Sequence, residues 1–400
     1  AYSRLSGDQS DQQRPDASGL STETDPDWLI LGASVLFSRG DSIAAAAAVE
    51  NSLRTRLHEH TDVDPMIADF SDIVAMLVEF PATIEIAADS QGAALREDSA
   101  RLRKIFVCGN GWTGSGALYD ALADYDGLAE MPAAPGDSFL NEGTESEVMF
   151  VEGPGGLGHI WRTARQENVV RRSDLWELFR CHVVGAGGVG YVERKCARAA
   201  SNLLTVAGSR YTGIFRGMFK QMNALGEEAS LSRLHSILNT AAESLTEAFA
   251  GESDCVLFNN AVFGRNLDML QIFQNFNAAV VVRDPLDTYA DRRAHDLKHW
   301  MTPARFVPFY RSSRQATERG LASLTANQAG SVRIVEFERF VREQEYRQSV
   351  LDWLLGDGAR RVGSRFAPQQ SAMNIGMHRK RLSGDECATI DREIGHWRRN

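Results

Sequence analysis

Cysteine is scarce and scattered in this chain. The five cysteines, Cys108, Cys181, Cys196, Cys255 and Cys387, form no CxxC pair and no dense framework. That excludes a disulfide-stapled fold and reads as buried thiols in a reducing compartment. Long apolar runs are missing too. The longest early one, Trp28 to Phe37, is broken by Gly32 and Ser34 and falls far short of the ~20 residues a membrane helix needs. No basic segment precedes it, so neither a signal peptide nor a stable membrane insertion is expected, and the chain reads as soluble and cytoplasmic. Nor is there a surplus of positive charge: the net charge of −10 argues against bulk nucleic-acid binding and requires any anion site to be locally basic. No His, Cys, Asp or Glu spacing suggests a metal site, and no internal repeat is visible.

What is present is ordinary globular composition: 400 residues, 43% hydrophobic and 24% charged. This is enough for one large α/β domain with additions, or for two domains. Residues 1–26 are polar, rich in Ser, Asp and Gln, and read as a disordered or loosely attached tail. From 27 to 100 the pattern is helical, with an Ala-rich stretch from Ile43 to Leu57 and an amphipathic one from Met66 to Phe80, giving an N-terminal helical extension. From 101 to 400 the periodicity changes. Apolar runs of strand length stand at Ile105–Cys108, Val148–Val151, Cys255–Phe258, Ala278–Val282 and Val332–Val335, with helix-like segments between them. Such runs predict a buried parallel sheet in an α/β domain. Asp174 to Phe249 reads as mostly helical, an insertion over about 172–250, and Gln344–Leu355 and Asp385–Trp397 read as late helices.

One stretch carries the most chemistry. In KIFVCGNGWTGSGALYD, Lys104 to Asp120, an apolar run ends in a glycine-rich turn, Gly109 to Gly116, and a helix-compatible segment follows from Ala117 to Asp126. Glycines let successive backbone N–H groups face one concavity, and the start of the helix adds partial positive charge. The spacing Gly109-x4-Gly114-Ser115 is nearly a P-loop, but Ser115 stands where its lysine belongs. The loop therefore suits a phosphate-like anion without suiting ordinary ATP or GTP hydrolysis. The expected donors are the N–H groups of Gly111, Trp112, Thr113, Gly114, Ser115 and Gly116, with the Thr113 and Ser115 hydroxyls. Trp112 either faces the ligand or covers the loop, and cover is the slightly favoured reading.

A second segment, VVVRDPLDTYADRR from Val280 to Arg293, reads as a strand ending at Arg283, a break at Asp284-Pro285, and a helix from about Leu286. Parallel sheets place ligands at the carboxyl ends of their strands, and the planar fork of Arg283 suits a phosphate. The plainer alternative is an arginine that pairs with Asp284 or Asp287 and caps the helix.

The loop GNGWTGSG, the VVRDPLDTYADRR segment, VRIVEFERF (Val332 to Phe340) and NIGMHRKRLS (Asn374 to Ser383) resemble, in this order, the signature segments of sulfotransferases that use 3′-phosphoadenosine 5′-phosphosulfate (PAPS). The resemblance spans roughly Lys104 to Asp391. It implies a three-layer, P-loop-like α/β fold with a central parallel sheet and PAPS as co-substrate without a metal. The acceptor would be a hydroxyl or amine on a carbohydrate, lipid or other small molecule. Thr113 to Gly116 would hold the 5′-phosphosulfate, Arg283 the 3′-phosphate, and Arg379, with Lys380 and Arg381, would close over the nucleotide. The chain departs from the pattern at three places. Trp112 stands where many members carry Lys or Arg. Asp291 stands where many carry a 3′-phosphate-binding Ser, eight residues after the arginine; Arg292 and Arg293 are expected to substitute while Asp291 turns away. The strand CVLFNN ends at Asn259-Asn260, where one branch has a catalytic His.

The base that takes the acceptor's proton must lie within hydrogen-bond reach. Another branch of these enzymes uses a Glu about thirty residues past the loop. EGTESEVMF here makes Glu147 the first candidate, then Glu145 and Glu142. His159 and His182 are lesser alternatives. Gly185-x-Gly187-x-x-Gly190 matches a dinucleotide fingerprint as a bare string, but no acidic residue lies between Lys195 and Asn223 to hold a ribose. Two rivals stay open: an atypical P-loop kinase, and a non-catalytic nucleotide-binding relative. Homo-oligomerisation is also left open.

Overall fold

The computed structural model describes residues 63–87, 102–130, 151, 155–185, 191–226, 229–295, 301–356 and 358–398, with a few isolated positions between 44 and 54. These fall into two compact units, one drawn from 1–98 and 148–249, the other from 99–131 and 250–400.

The first unit is mainly helical. It contains the helices Val63–Glu79, Leu157–Glu167, Tyr191–Asn223 and Leu231–Ala250, with a short antiparallel pair, Thr83–Glu85 against Val169–Arg171. Tyr191–Asn223 is kinked at Gly208, whose φ of 47° only glycine adopts without strain. The Thr212 hydroxyl, fully buried, donates to Asp69 at 2.6 Å and ties this helix to Val63–Glu79. The run before the bare glycine fingerprint is not a strand: Leu178–Val183 forms a π-helical turn. A dinucleotide loop needs a strand ahead of it, so Gly185 has no such context.

The second unit is an α/β fold around a five-stranded parallel sheet. Its strands and main helices are β1 (Arg103–Cys108), α1 (Ser115–Leu122), β2 (Leu128–Glu130), β3 (Cys255–Asn259), β4 (Phe276–Val282), α2 (Pro285–Ala294), α3 (Pro303–Ser323), β5 (Val332–Glu336), α4 (Phe337–Arg342), α5 (Gln344–Leu355), α6 (His378–Arg381) and α7 (Gly384–Ile394). The strand order is β2-β3-β1-β4-β5, all neighbours parallel. β1, β3, β4 and β5 answer four of the expected apolar runs. The fifth, Val148–Val151, lies outside the described residues except for Val151.

The central strands β1, β3 and β4 are mostly apolar because both faces are covered. On one face Ile105, Val107, Leu257, Ala279 and Val281 pack against Leu118 and Leu122 of α1, Phe340 and Val341 of α4, and Val350 and Leu354 of α5. On the other, Phe106 stacks on Phe258 at 4.8 Å and meets Phe273 at 4.9 Å. Each such pair adds about 0.5–1.5 kcal/mol beyond its buried area. A fully buried Lys104 sits within this apolar strand; its Nζ donates to the carbonyls of Leu102 and Gln274 at 3.1 and 2.9 Å, which offsets its desolvation.

The topology places the site. The chain leaves β1 toward β2 on one side and leaves β4 toward β5 on the other. Adjacent strands whose connections diverge open a crevice at their carboxyl ends. The glycine-rich loop follows β1 and Arg283 follows β4, so both stand at that crevice. Among the described residues no helix is long and apolar enough to cross a membrane.

Candidate functional site

The loop is built on left-handed backbone. Gly111, Trp112 and Gly114 have φ of 79°, 56° and 85°. Glycine accepts this freely, but for Trp112 it is an uncommon conformation of the kind found at ligand clamps. Gly109 forms the floor of the turn: a Cβ there would lie 2.7 Å from Ser115 Oγ and 2.8 Å from Thr113 Oγ1. Its N–H donates to Asn260 Oδ1 at 2.9 Å, and the Asn110 N–H donates to Thr113 Oγ1 at 3.3 Å. The Asn110 side chain accepts in turn, through Oδ1, from the Arg265 N–H at 2.9 Å. The turn is thus pinned at its start from β3 and the segment after it.

Beyond Asn110 the pattern changes. Among the described residues, no group accepts a hydrogen bond from the N–H of Gly111, Trp112, Thr113, Gly114, Ser115 or Gly116. Successive N–H groups without partners at the start of a helix are the kind of backbone on which an anion can be held. Gly114 is required for a second reason. The space its Cβ would fill is taken by the ring of Phe337, whose Cδ2 would be 2.2 Å away.

Arg283 meets this loop directly. It is 4% exposed. Its Nη1 donates to the Trp112 carbonyl at 3.0 Å, its Nη2 donates to the Asn374 carbonyl at 2.5 Å and lies 3.1 Å from Met377 Sδ, and its guanidinium lies 5.1 Å from the Phe337 ring centre. Its charge is balanced inside the protein: Nη1 pairs with Asp291 at 2.7 Å. Asp291 therefore turns toward the arginine, contrary to the expectation that it turns away. The expected alternative partners serve elsewhere. Asp284 caps α2 by accepting the Leu286 N–H at 2.8 Å and pairs with Arg398. Asp287 accepts from the Gly376 and His378 N–H groups and contacts His378 Nδ1, stapling the 374–378 segment onto α2.

The remaining sequence candidates are placed unevenly. Arg292 lies between two rings, 5.0 Å from that of Trp112 and 4.0 Å from that of Phe309. Trp112 itself is 41% exposed. Arg293 pairs with Glu386 rather than with anything at the loop. Arg379, Lys380 and Arg381 are exposed on α6, just past the segment whose Asn374 and Met377 touch Arg283. Glu142, Glu145 and Glu147 lie outside the described residues.

Two groups were not visible as candidates in the sequence. Glu338, on α4, accepts the Asp284 N–H at 2.9 Å, and burial raises its carboxyl above the ordinary range. Arg314, on α3, lines a small open cleft together with Asn110, Gly111, Thr113, Arg283 and Ser313. Burial also pushes the neighbouring Tyr310 hydroxyl up to about 12; it donates to the Arg283 carbonyl at 3.2 Å. Among the described residues no cluster of three or more His, Cys, Asp or Glu side chains is arranged to hold a metal ion. Comparison of the chain with protein families, curated proteins and solved structures finds no match.

Proposed function

We propose that this chain is a PAPS-dependent sulfotransferase of the P-loop-like α/β type. One observation carries the reading: after the central strand come six successive N–H groups without a partner among the described residues, in a loop whose Gly111 and Thr113 line the same cleft as the arginine at the end of the neighbouring strand. The loop 109–116 would take the 5′-phosphosulfate and Arg283 the 3′-phosphate, with Arg292 and Arg379 on the approach. Sulfuryl transfer runs through a loose, in-line transition state akin to phosphoryl transfer, so positioned donors for the developing charge are its main requirement. The sulfur–oxygen bond to the nucleotide breaks as one forms to a hydroxyl or amine of a small-molecule or glycan acceptor. The acceptor's proton goes to a base, for which Glu147 remains the first choice. The products are the sulfated acceptor and adenosine 3′,5′-bisphosphate. Neither nucleic acid nor a membrane enters this scheme, and the cytoplasm is its proposed location.

The Arg283–Asp291 pair favours a second reading, a relative that binds a nucleotide without transferring sulfate. Titration with adenosine 3′,5′-bisphosphate and 5′-AMP, alongside sulfate transfer from labelled PAPS to a panel of sugars and amines, separates the two. The expected result is tighter binding of the bisphosphate together with transfer. Bisphosphate binding with no transfer to any acceptor supports the second reading, and equal affinity for the two nucleotides removes the 3′ site.

A further inference from the structure

Arg283 is neutralised by Asp291, and the loop has no lysine of its own. An anion bound to the loop would meet only neutral donors unless another cation faces it. Arg314 stands in the same cleft as Asn110, Gly111 and Thr113. It has no ion pair or hydrogen bond among the described residues, and its Nε is buried without a partner. Glu318, one turn further along α3, makes no ion pair with it. Arg283 contributes a second unpartnered buried Nε to the cleft. Ser313, 6% exposed and beside Arg314, lines the cleft with a hydroxyl that takes no partner among the described residues. A buried guanidinium nitrogen without an acceptor is costly. Two of them in one cleft, beside the unpartnered N–H groups of the loop, are donors placed to converge on one acceptor group.

We propose that Arg314 is the cation of an oxyanion subsite facing the loop, binding one tetrahedral phosphate or sulfate group with help from Arg283 Nε and Ser313. It supplies the charge that Lys would supply in an ordinary P-loop, and it does so from a helix on the other side of the cleft. This rests on reading the loop as an oxyanion cradle. The forked guanidinium suits a tetrahedral anion that presents two oxygens.

Isothermal titration with two probes, inorganic pyrophosphate and adenosine 3′,5′-bisphosphate, tests it on the wild type, Arg314→Gln, Arg314→Lys and Arg319→Gln. Arg319 is exposed on the same helix and controls for bulk charge. Arg314→Gln is expected to weaken both probes by about tenfold to a hundredfold, the range for one charge-assisted hydrogen-bonding group. Arg319→Gln should stay within about twofold, as for an exposed charge. Loss of bisphosphate affinity alone assigns the subsite to a nucleotide's phosphate, and loss of both assigns it to any tetrahedral oxyanion; either outcome supports the subsite. Should Arg314→Gln not fold, Arg314→Lys takes its place, with an expected loss of at least about threefold because the fork is gone. Wild-type binding with Arg314→Gln no weaker than Arg319→Gln, or Arg314→Lys unchanged, overturns the subsite and leaves the loop reading standing. No binding of either probe by the wild type overturns both.

Discussion

Replacing Asp291 by Asn separates the two roles of Arg283. The guanidinium side chain is 2% exposed and its partner 17%. Breaking a buried pair from one side costs about 3–5 kcal/mol, because a charge is left uncompensated. Here the carbonyls of Trp112 and Asn374 stay in place, the Phe337 ring lies 5.1 Å away, and the lost carboxylate was partly solvated, so about 2–3 kcal/mol is the expected loss. An anion arriving at Arg283 no longer competes with an internal carboxylate, and its affinity should rise by about tenfold, one such step of ~1.4 kcal/mol. Urea unfolding with and without adenosine 3′,5′-bisphosphate reads both quantities. At 100 times its dissociation constant the nucleotide restores about 2.7 kcal/mol, enough to bring Asp291→Asn close to the free wild type. A variant as stable as the wild type would show that the pair does not hold Arg283. A destabilised variant whose bisphosphate affinity is unchanged would show that Arg283 is a structural brace and not a phosphate ligand.

Gly114→Ala forces a side chain into left-handed backbone, at about 1–2 kcal/mol, and drives its methyl into the Phe337 ring, so a total of about 2–4 kcal/mol is expected once overpacking is added. A loss under about 1 kcal/mol in urea unfolding would contradict the close fit seen at that ring. Glu338→Gln should flatten one part of the pH profile. Burial raises the folded-state value of this carboxyl above 4.5, so between the two values the folded protein holds a proton that the unfolded chain releases. The stability due to this group is then full below the unfolded value and is lost as pH rises through the folded one. The stability of Glu338→Gln relative to the wild type should therefore rise with pH above about 4.5 and then level off. Parallel urea midpoints for the two proteins from pH 4 to 8 would rule this out.

The parts of the molecule that were legible from the sequence share a cause: each is specified by neighbours in the chain. The cores of β1, β3 and β4 are apolar runs because both sheet faces are covered there, β5 keeps enough apolar residues to show although it lies at the sheet edge, and α5 carries the bounds Gln344–Leu355 that its pattern indicates. The loop shows itself through glycines at positions where the backbone turns left-handed. β2 escaped because its three residues, Leu128 to Glu130, are too few to show a period. The Arg283–Asp291 pair was misjudged because a strand end and a point two helical turns on come together only through the break at Asp284-Pro285. Arg314 gave no signal at all. On α3 it reads as one polar residue of a surface helix, and only packing brings it to a loop some two hundred residues earlier in the chain. The carboxylates Glu142, Glu145 and Glu147 lie outside the described residues, so the choice among them rests on the sequence.

Phe337 stands behind both halves of the cleft, filling the space at Gly114 on one side and lying under the Arg283 guanidinium on the other. A single flat benzene ring thereby sets the gauge between the amide row and the arginine. Side-chain rotation in a flexible spacer would let that width breathe, but a ring wedged against backbone cannot. On the proposed oxyanion reading, the span of anion that fits is accordingly set at position 337, and trimming that ring should change which length of ligand fits before it changes how tightly any one of them is held.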